Sequence, residues 1–289
     1  MDHEEARAVA ARCNRALEPL HSMVYFAPEA EQAYTELGLP GGRMGYFASR
    51  GAPLGPVGPA VVAATFYNFN PALVARHIPS AWTFASPEAI VEARFLAAGA
   101  ALRRLLGPEL AESEALTELA ALVREAADGC DGDGRVLYAA HAALDWPEDP
   151  VLVLWHGISL LREHRGDGHI AALVGNGLGG LPALITHCAT GKGFIPDVAR
   201  KLRGWSEDEW AAATDELREQ GQLDADGGLT ELGLATRERI EEQTNAAATG
   251  PFRWVGADKA ERMRELGKEL TRQVLANGAF PPGVFARGK

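Results

Sequence analysis

Cysteine is scarce in this sequence and badly placed for cross-linking. Cys13, Cys130 and Cys188 are odd in number, widely separated and without a close pair. That excludes a disulfide framework and a thiolate zinc site, and predicts buried, inert thiols. Long apolar runs are missing too. No stretch reaches the roughly 20 residues of a membrane span, and "MDHEEARAVAARCNRAL" reads as an amphipathic helix instead of a basic-then-apolar leader, so a cytoplasmic location is expected and no membrane partner. Positive charge is also short: 28 Lys and Arg face 39 Asp and Glu, a formal net charge of -11. Such a balance opposes sequence-independent attraction to phosphate backbones unless a local basic patch exists. Strand signals are few. What is plentiful is apolar side chain, 47% of 289 residues, enough for one large or two ordinary domains with a real core.

Helical periodicity dominates the rest. Alanine-rich stretches at 3–17, 86–106, 110–127 and 256–275 carry apolar residues three and four apart, and Ser86-Pro87 supplies an N-cap and first-turn pair. Gly/Pro-rich joints separate them at 38–42, 50–59, 128–134 and 175–182. The fold class expected is mainly α, organised as a helical N-terminal region (1–130), a His/Arg-rich helical region (131–195), a segment at 196–250 and a C-terminal helix and tail (251–289). An internal echo invites a pseudo-repeat reading: shifted by 91 residues, Phe47-Ala48 meets Tyr138-Ala139 and Pro59 meets Pro150, and with a changed offset His77 meets His164. Chance in an Ala/Pro-rich chain is the competing account.

The 196–250 segment has a sharper pattern. It predicts a helix, a turn, a Ser206-capped helix with Glu209 at the capping-box position, a β-hairpin around Asp226-Gly227-Gly228, and a long helix capped by Thr230. The stretch "DELREQGQLDADGGLTELGLATRERIEEQT" resembles a MarR-type winged helix through Leu217, Gly221, Leu229, Thr230 and Gly233. Over nearly its full length, on "FYNFNPALVARHIPSAW", "LWHGISLLREHRGDGHIAAL" and this segment, the chain resembles an actinobacterial family labelled helix-turn-helix. The resemblance implies a fold and no particular activity.

Charge argues against a DNA role for that segment. Residues 197–249 hold thirteen acidic and six basic side chains, a net -7. The recognition helix would open Ser206-Glu207-Asp208-Glu209 and the wing tip is Asp224-Ala225-Asp226, where phosphate contact calls for cations. Acidic residues at a helix start also suit the macrodipole, which accounts for part of this excess. Arg200, Lys201 and Arg203 form a basic cluster whose plain reading is a solvated helix face. The expectation is a winged helix used for packing or dimerisation, with a likeness of fold transferring no function.

The densest chemistry lies in "LWHGISLLREHRGDGHIAAL", residues 154–173. Asp149 and Pro150 predict a helix start, and Gly166 predicts its end after His164. His156 and Glu163, seven positions apart, fall within about 20° of one stripe at 100° per residue, with Cα atoms roughly 10 Å apart. They can meet only through a third group. A turn at Arg165–Gly168 would follow, with Asp167 capping a second helix whose first turn holds His169 and whose free N–H groups suit an anion. A third helix would start at Pro182 and carry His187. Three readings compete: a salt-bridge knot of Arg162, Glu163, Arg165 and Asp167; a small-molecule pocket; and a metal site using His156, Glu163, His164 and His169, whose spacing matches no tight motif.

Further polar and aromatic groups at 66–82 are candidates for the same pocket: Tyr67, Asn68, Asn70 and His77, with Trp155 from the charged helix. Asn68 and Asn70 read equally as caps for the helix that Pro71 opens. "RGAPLGPVGP" lacks the Gly-Lys-Ser/Thr ending of a phosphate loop, and Ser159 sits mid-helix with no nucleophile arrangement. The leading expectation is a small-molecule-binding homodimer with its pocket between 60–82 and 154–187. His156, His164 and His169 are its acid/base candidates, and Arg162 or Arg165 would hold an anion. A ligand-responsive MarR-like regulator is the alternative and a His/carboxylate metal protein the second. The sequence leaves any cofactor unknown.

Overall fold

The computed structural model describes residues 1–286. Its described residues are mainly α-helical: α1 (His3–Ser22), α2 (Pro28–Glu36), α3 (Arg43–Gly51), α4 (Pro59–Phe66), α5 (Pro71–Ala75), α6 (Pro87–Leu106), α7 (Pro108–Ala111), α8 (Glu114–Ala127), α9 (Val136–Ala142), α10 (Pro150–Gly175), α11 (Gly180–Ala189), α12 (Pro196–Arg203), α13 (Glu207–Glu219), α14 (Glu231–Ala247) and α15 (Gly250–Ala276). Many begin as their residues dictate. Ser86, Ser113, Asp149 and Thr230 each cap a first turn with the side chain, and Ser206 with Glu209 forms the full capping box.

Helix α10 is the spine. It packs against α1, α6, α8, α9 and α14, and is buried around most of its circumference, as a helix without a distinct polar face must be. A large core joins α1, α6 and α8 to the first half of α10 and to Ala260, Met263, Leu266, Leu270 and Val274 of α15. Residues on both sides of 130/131 and of 250/251, among them Ala126, Leu137, Ala248 and Phe252, contribute to this core. A second core gathers Leu173, Leu181, Ile185, Leu217, Leu223 and Ile240 from the second half of α10 through α14. Among the described residues, no single helix is long and apolar enough to cross a membrane.

Three sequence expectations need correction. The turn at Arg165–Gly168 does not form, and α10 runs unbroken for 26 residues through Gly166 and Gly168. Gly168 serves a close approach instead: a Cβ there would lie 2.8 Å from Arg135 Nη1 and 3.0 Å from Ala247 Cβ. Through that gap Arg135 reaches His164 O at 2.6 Å and Ala247 O at 2.9 Å, tying α10 to the end of α14. The β-hairpin shrinks to a single bridge between Leu223 and Leu229, closed by Asp224 N to Gly228 O at 2.9 Å and Thr230 N to Gln222 O at 3.1 Å. The internal echo ends early. Phe47 and Tyr138 both lie in short helices followed by a Pro-started helix, but His77 sits in a turn and His164 in mid-helix.

Candidate functional site

With α10 continuous, its histidines point in different directions. His156 to His164 is roughly 80° around the axis, and His164 to His169 roughly 140°. His156 is in the core, its ring 4.7 Å from Trp146 and 5.3 Å from Phe95, with no hydrogen-bond partner for Nε2 among the described residues. His164 faces Tyr138, and its Nε2 lies 3.5 Å from Asp131 Oδ2. Trp155 stacks on His21 at 5.5 Å, and Asp167 accepts from the Tyr138 N–H at 2.8 Å. None of these four lines the cavity described below. The expected trio of catalytic histidines is therefore not assembled, and the helix N-terminus expected beside His169 does not exist. Ser159, mid-helix as expected, donates to Trp155 O and lies 2.8 Å from His21 Nδ1.

His169 takes the other face. Its Nδ1 lies 2.8 Å from Thr244 Oγ1, whose own proton goes to Ile240 O at 2.7 Å. The hydroxyl must accept, so His169 carries its proton on Nδ1 and a lone pair on Nε2. Burial pushes the His156, His164 and His169 imidazolium pKa values down to about 4 and lowers His187 as well. These rings are neutral near pH 7, not poised at it.

His169 and His187 border a cavity of about 670 Å³. Asn14, Arg15 and Glu18 of α1, Tyr46 and Arg50 of α3, the 65–69 stretch at the end of α4, Arg162 and Arg165 of α10, Arg203 at the end of α12, and Arg237 and Glu241 of α14 supply the rest of its polar wall. Of the sequence-predicted residues, Tyr67, Asn68, Arg162, Arg165, His169 and His187 meet here. Asn70 instead caps α5 and donates to Glu209, and His77 packs on Phe47. Tyr67 is held at φ 53°, ψ -57°, the non-glycine residue with positive φ among those described. Its hydroxyl donates to Leu178 O at 2.6 Å, and its carbonyl presses on Gly180, where a Cβ would be 2.0 Å away. Backbone strain of this kind costs on the order of 1–3 kcal/mol and persists where surroundings enforce it.

A second lobe of about 610 Å³ shares Tyr46, Phe69, Arg162, Arg203 and Phe285 with the first, and adds Tyr25, Phe26 and Phe280. Glu163 lies behind the wall, fully buried, and was expected within a local knot. Its main partner is Arg50, 113 positions earlier, which donates at 3.0 and 2.7 Å; Arg162 adds a bond at 2.8 Å. Burial alone would raise its pKa, but the two guanidiniums outweigh that and hold it well below the usual carboxylate range. Arg165 leaves the supposed knot for Glu241 and Asn245.

Sequence reasoning missed Tyr46, Arg50, Arg203, Arg237 and Glu241 as site residues. Arg203 had been assigned to a solvated face, yet its guanidinium lies over Phe69 at 4.3 Å and Phe194 at 5.0 Å. Arg237 is 6% exposed, and its Nε and Nη1 find no partner. A usable signal existed. An arginine ending the apolar "MGYFASR", and one flanked by buried Gly233, Thr236 and Ile240 at helical spacing, both occupy inward-facing positions. Among the described residues no three His, Cys, Asp or Glu side chains converge as metal ligands.

The chain belongs to a helix-turn-helix family, which it matches over residues 10–281. No curated protein and no solved structure matches it.

Proposed function

We propose that the protein binds a small organic molecule in the cavity between the 65–69 stretch at the end of α4 and the 162–187 stretch of α10 and α11. Its α12–α14 segment is, on this reading, a MarR-like winged helix kept for packing or dimerisation. The observation that carries the reading is the cavity, whose size falls in the range of about 300–1,000 Å³ typical of ligand sites. A strained Tyr67 in its wall and convergent Arg and His side chains support it. Should the ligand react there, His169 Nε2 is the base in reach, since its proton resides on Nδ1. Native mass spectrometry of gently purified protein tests the reading: a discrete non-covalent adduct, lost on denaturation, is expected. Apo protein that gains no thermal stability from any member of a broad metabolite panel would count against it.

Family membership favours a second reading, DNA binding. The charges on the helix that would enter the groove speak against it. α13 exposes Glu207, Asp208, Asp215, Glu216 and Glu219, while its Arg218 is tied to Asp215 and to the carbonyls of Asp224 and Ala225. A mobility shift with upstream DNA at low salt is expected to be blank. A shift with steep salt dependence would reverse the preference.

A further inference from the structure

The neck between the two lobes holds more positive charge than the protein neutralises. Arg50, Arg162 and Arg203 gather beside Tyr46. Glu163 serves Arg50 and Arg162, and Glu18, 3.4 Å from Arg162 Nε, serves Arg162 again. Arg203 has no carboxylate among the described residues. Its Nε donates to Asn68 Oδ1 at 3.0 Å, and neither Nη donates to any of them. Neighbouring Arg43, whose Nη2 goes to Lys201 O at 2.9 Å, also lacks a carboxylate. Burying a cation without an opposite charge is costly, and burial pulls the Arg203 pKa below its ordinary value. Nor is Arg203 free to swing away. Two aromatic faces and the Asn68 bond fix the plane of its guanidinium, so its two Nη groups form a preset fork suited to bidentate capture of an oxyanion.

What surrounds the fork indicates the rest of the ligand. Tyr46 belongs to both lobes, and its hydroxyl has no hydrogen-bond partner among the described residues, so it can donate to the same anion. Beyond it one wall of the second lobe is formed by Phe26, Phe280 and Phe285, whose rings meet edge-on with centroids 5.5–6.1 Å apart, while Glu18, Glu31 and Arg43 are polar parts of its lining. Such a wall accepts flat apolar surface and offers little to a hydrated molecule.

We propose that Arg203, with Arg162 and the Tyr46 hydroxyl, receives the oxyanion of a small amphipathic molecule whose apolar body lies against Phe26, Phe280 and Phe285. A carboxylate, sulfonate or phosphate satisfies the same fork. This inference rests on the cavity being a ligand site, and the two fail differently under one experiment. N-phenyl-1-naphthylamine and 8-anilinonaphthalene-1-sulfonate share a hydrophobic body, and the second adds a sulfonate. Fluorescence titration of the full chain at low salt is expected to show the sulfonate binding at least about tenfold more tightly, as a charge-assisted bidentate contact would give. Arg203→Gln is expected to erase that advantage while leaving the uncharged probe unchanged, and Arg203→Lys, which keeps the charge but loses the fork, to fall between. Circular dichroism checks that each variant is folded, and Arg203→Lys serves alone if Arg203→Gln is not. Equal affinity of both probes in wild type and variant would overturn the oxyanion site and leave the cavity reading standing. Binding of neither probe would overturn both.

Discussion

Buried neutral histidines make this protein an acid-sensitive fold. Burial is the leading cause that puts His141, His156, His164 and His169 at about 4, against 6.5 for a free imidazole. An unfolded chain therefore binds protons that the folded chain refuses between those values. Stability is fully present above pH 6.5 and falls as pH drops through 6.5 towards 4. At pH 5 each ring forfeits about 2 kcal/mol relative to pH 7.5, and four rings about 8 kcal/mol, comparable with the ~5–15 kcal/mol of a typical domain. Near pH 5 the slope should approach roughly 5 kcal/mol per pH unit, the signature of about 3.5 protons. Asp167 offsets part of this, because burial raises its carboxyl pKa and the folded state takes its proton first. Urea unfolding followed by circular dichroism from pH 7.5 to 4.5 measures the slope. His156→Phe isolates one ring, since that imidazole already lies among Phe95 and Trp146. It should be within about 1 kcal/mol of wild type at pH 7.5 and about 2 kcal/mol more stable at pH 5. A wild-type stability flat to within 1 kcal/mol between pH 7 and 5 would refute the assignment of these rings as buried and neutral.

Glu163→Ala leaves Arg50 and Arg162 facing each other without their shared carboxylate, and should destabilise by about 3–5 kcal/mol in urea titration; a loss under 1 kcal/mol would mean the pair is solvated. Gly168→Ala should cost about 1–3 kcal/mol by displacing Arg135, while Gly166→Ala, with Glu163 Oε2 at 3.7 Å as its neighbour, should gain about 0.5–1 kcal/mol. If a turn existed at 165–168, both substitutions would destabilise. Alkylation of native protein by iodoacetamide should be slow at Cys13, Cys130 and Cys188, whose thiols burial pushes up to about 12, 12 and 11; fast labelling at neutral pH would contradict that.

Features written in a few adjacent residues were readable from sequence. Ser206 with Glu209, Asp149 with Pro150, and Asn70 with Pro71 each set a helix start through bonds spanning two or three positions. The failures came where a distant residue decides. Gly166 and Gly168 looked like a turn because locally they are poor helix formers, yet at Gly168 it is Arg135 and Ala247 that require the missing Cβ. Asp167 looked like a cap because its partner, the Tyr138 N–H, lies 29 positions earlier. The pocket region was placed by its apolar flanks and convergent polar groups, and Tyr67, Asn68, Arg162, Arg165, His169 and His187 do border one space. Its acid/base trio depended on a helix break after His164 that would bring His169 back; with α10 unbroken His169 lies roughly 140° from His164, while His156 and His164 are taken up by Trp146 and by Tyr138 and Asp131.

The acidic face of α13 and the cationic cavity are two consequences of one arrangement. Of the six basic residues in 197–249, Arg203 and Arg237 turn inward, Arg200 is paired with Glu207, Arg218 closes the Asp224–Ala225 turn, Arg239 donates to Asn176, and Lys201 is left exposed without an ion pair among the described residues. Gly204, at φ 75° and ψ 23°, ends α12 and packs under Leu73, holding Arg203 over Phe69 while the chain reverses into α13. A helix-turn-helix that spends its cations this way has few left for a phosphate backbone. The cations of this segment that face inward, Arg203 and Arg237, border the same cavity as the strained Tyr67.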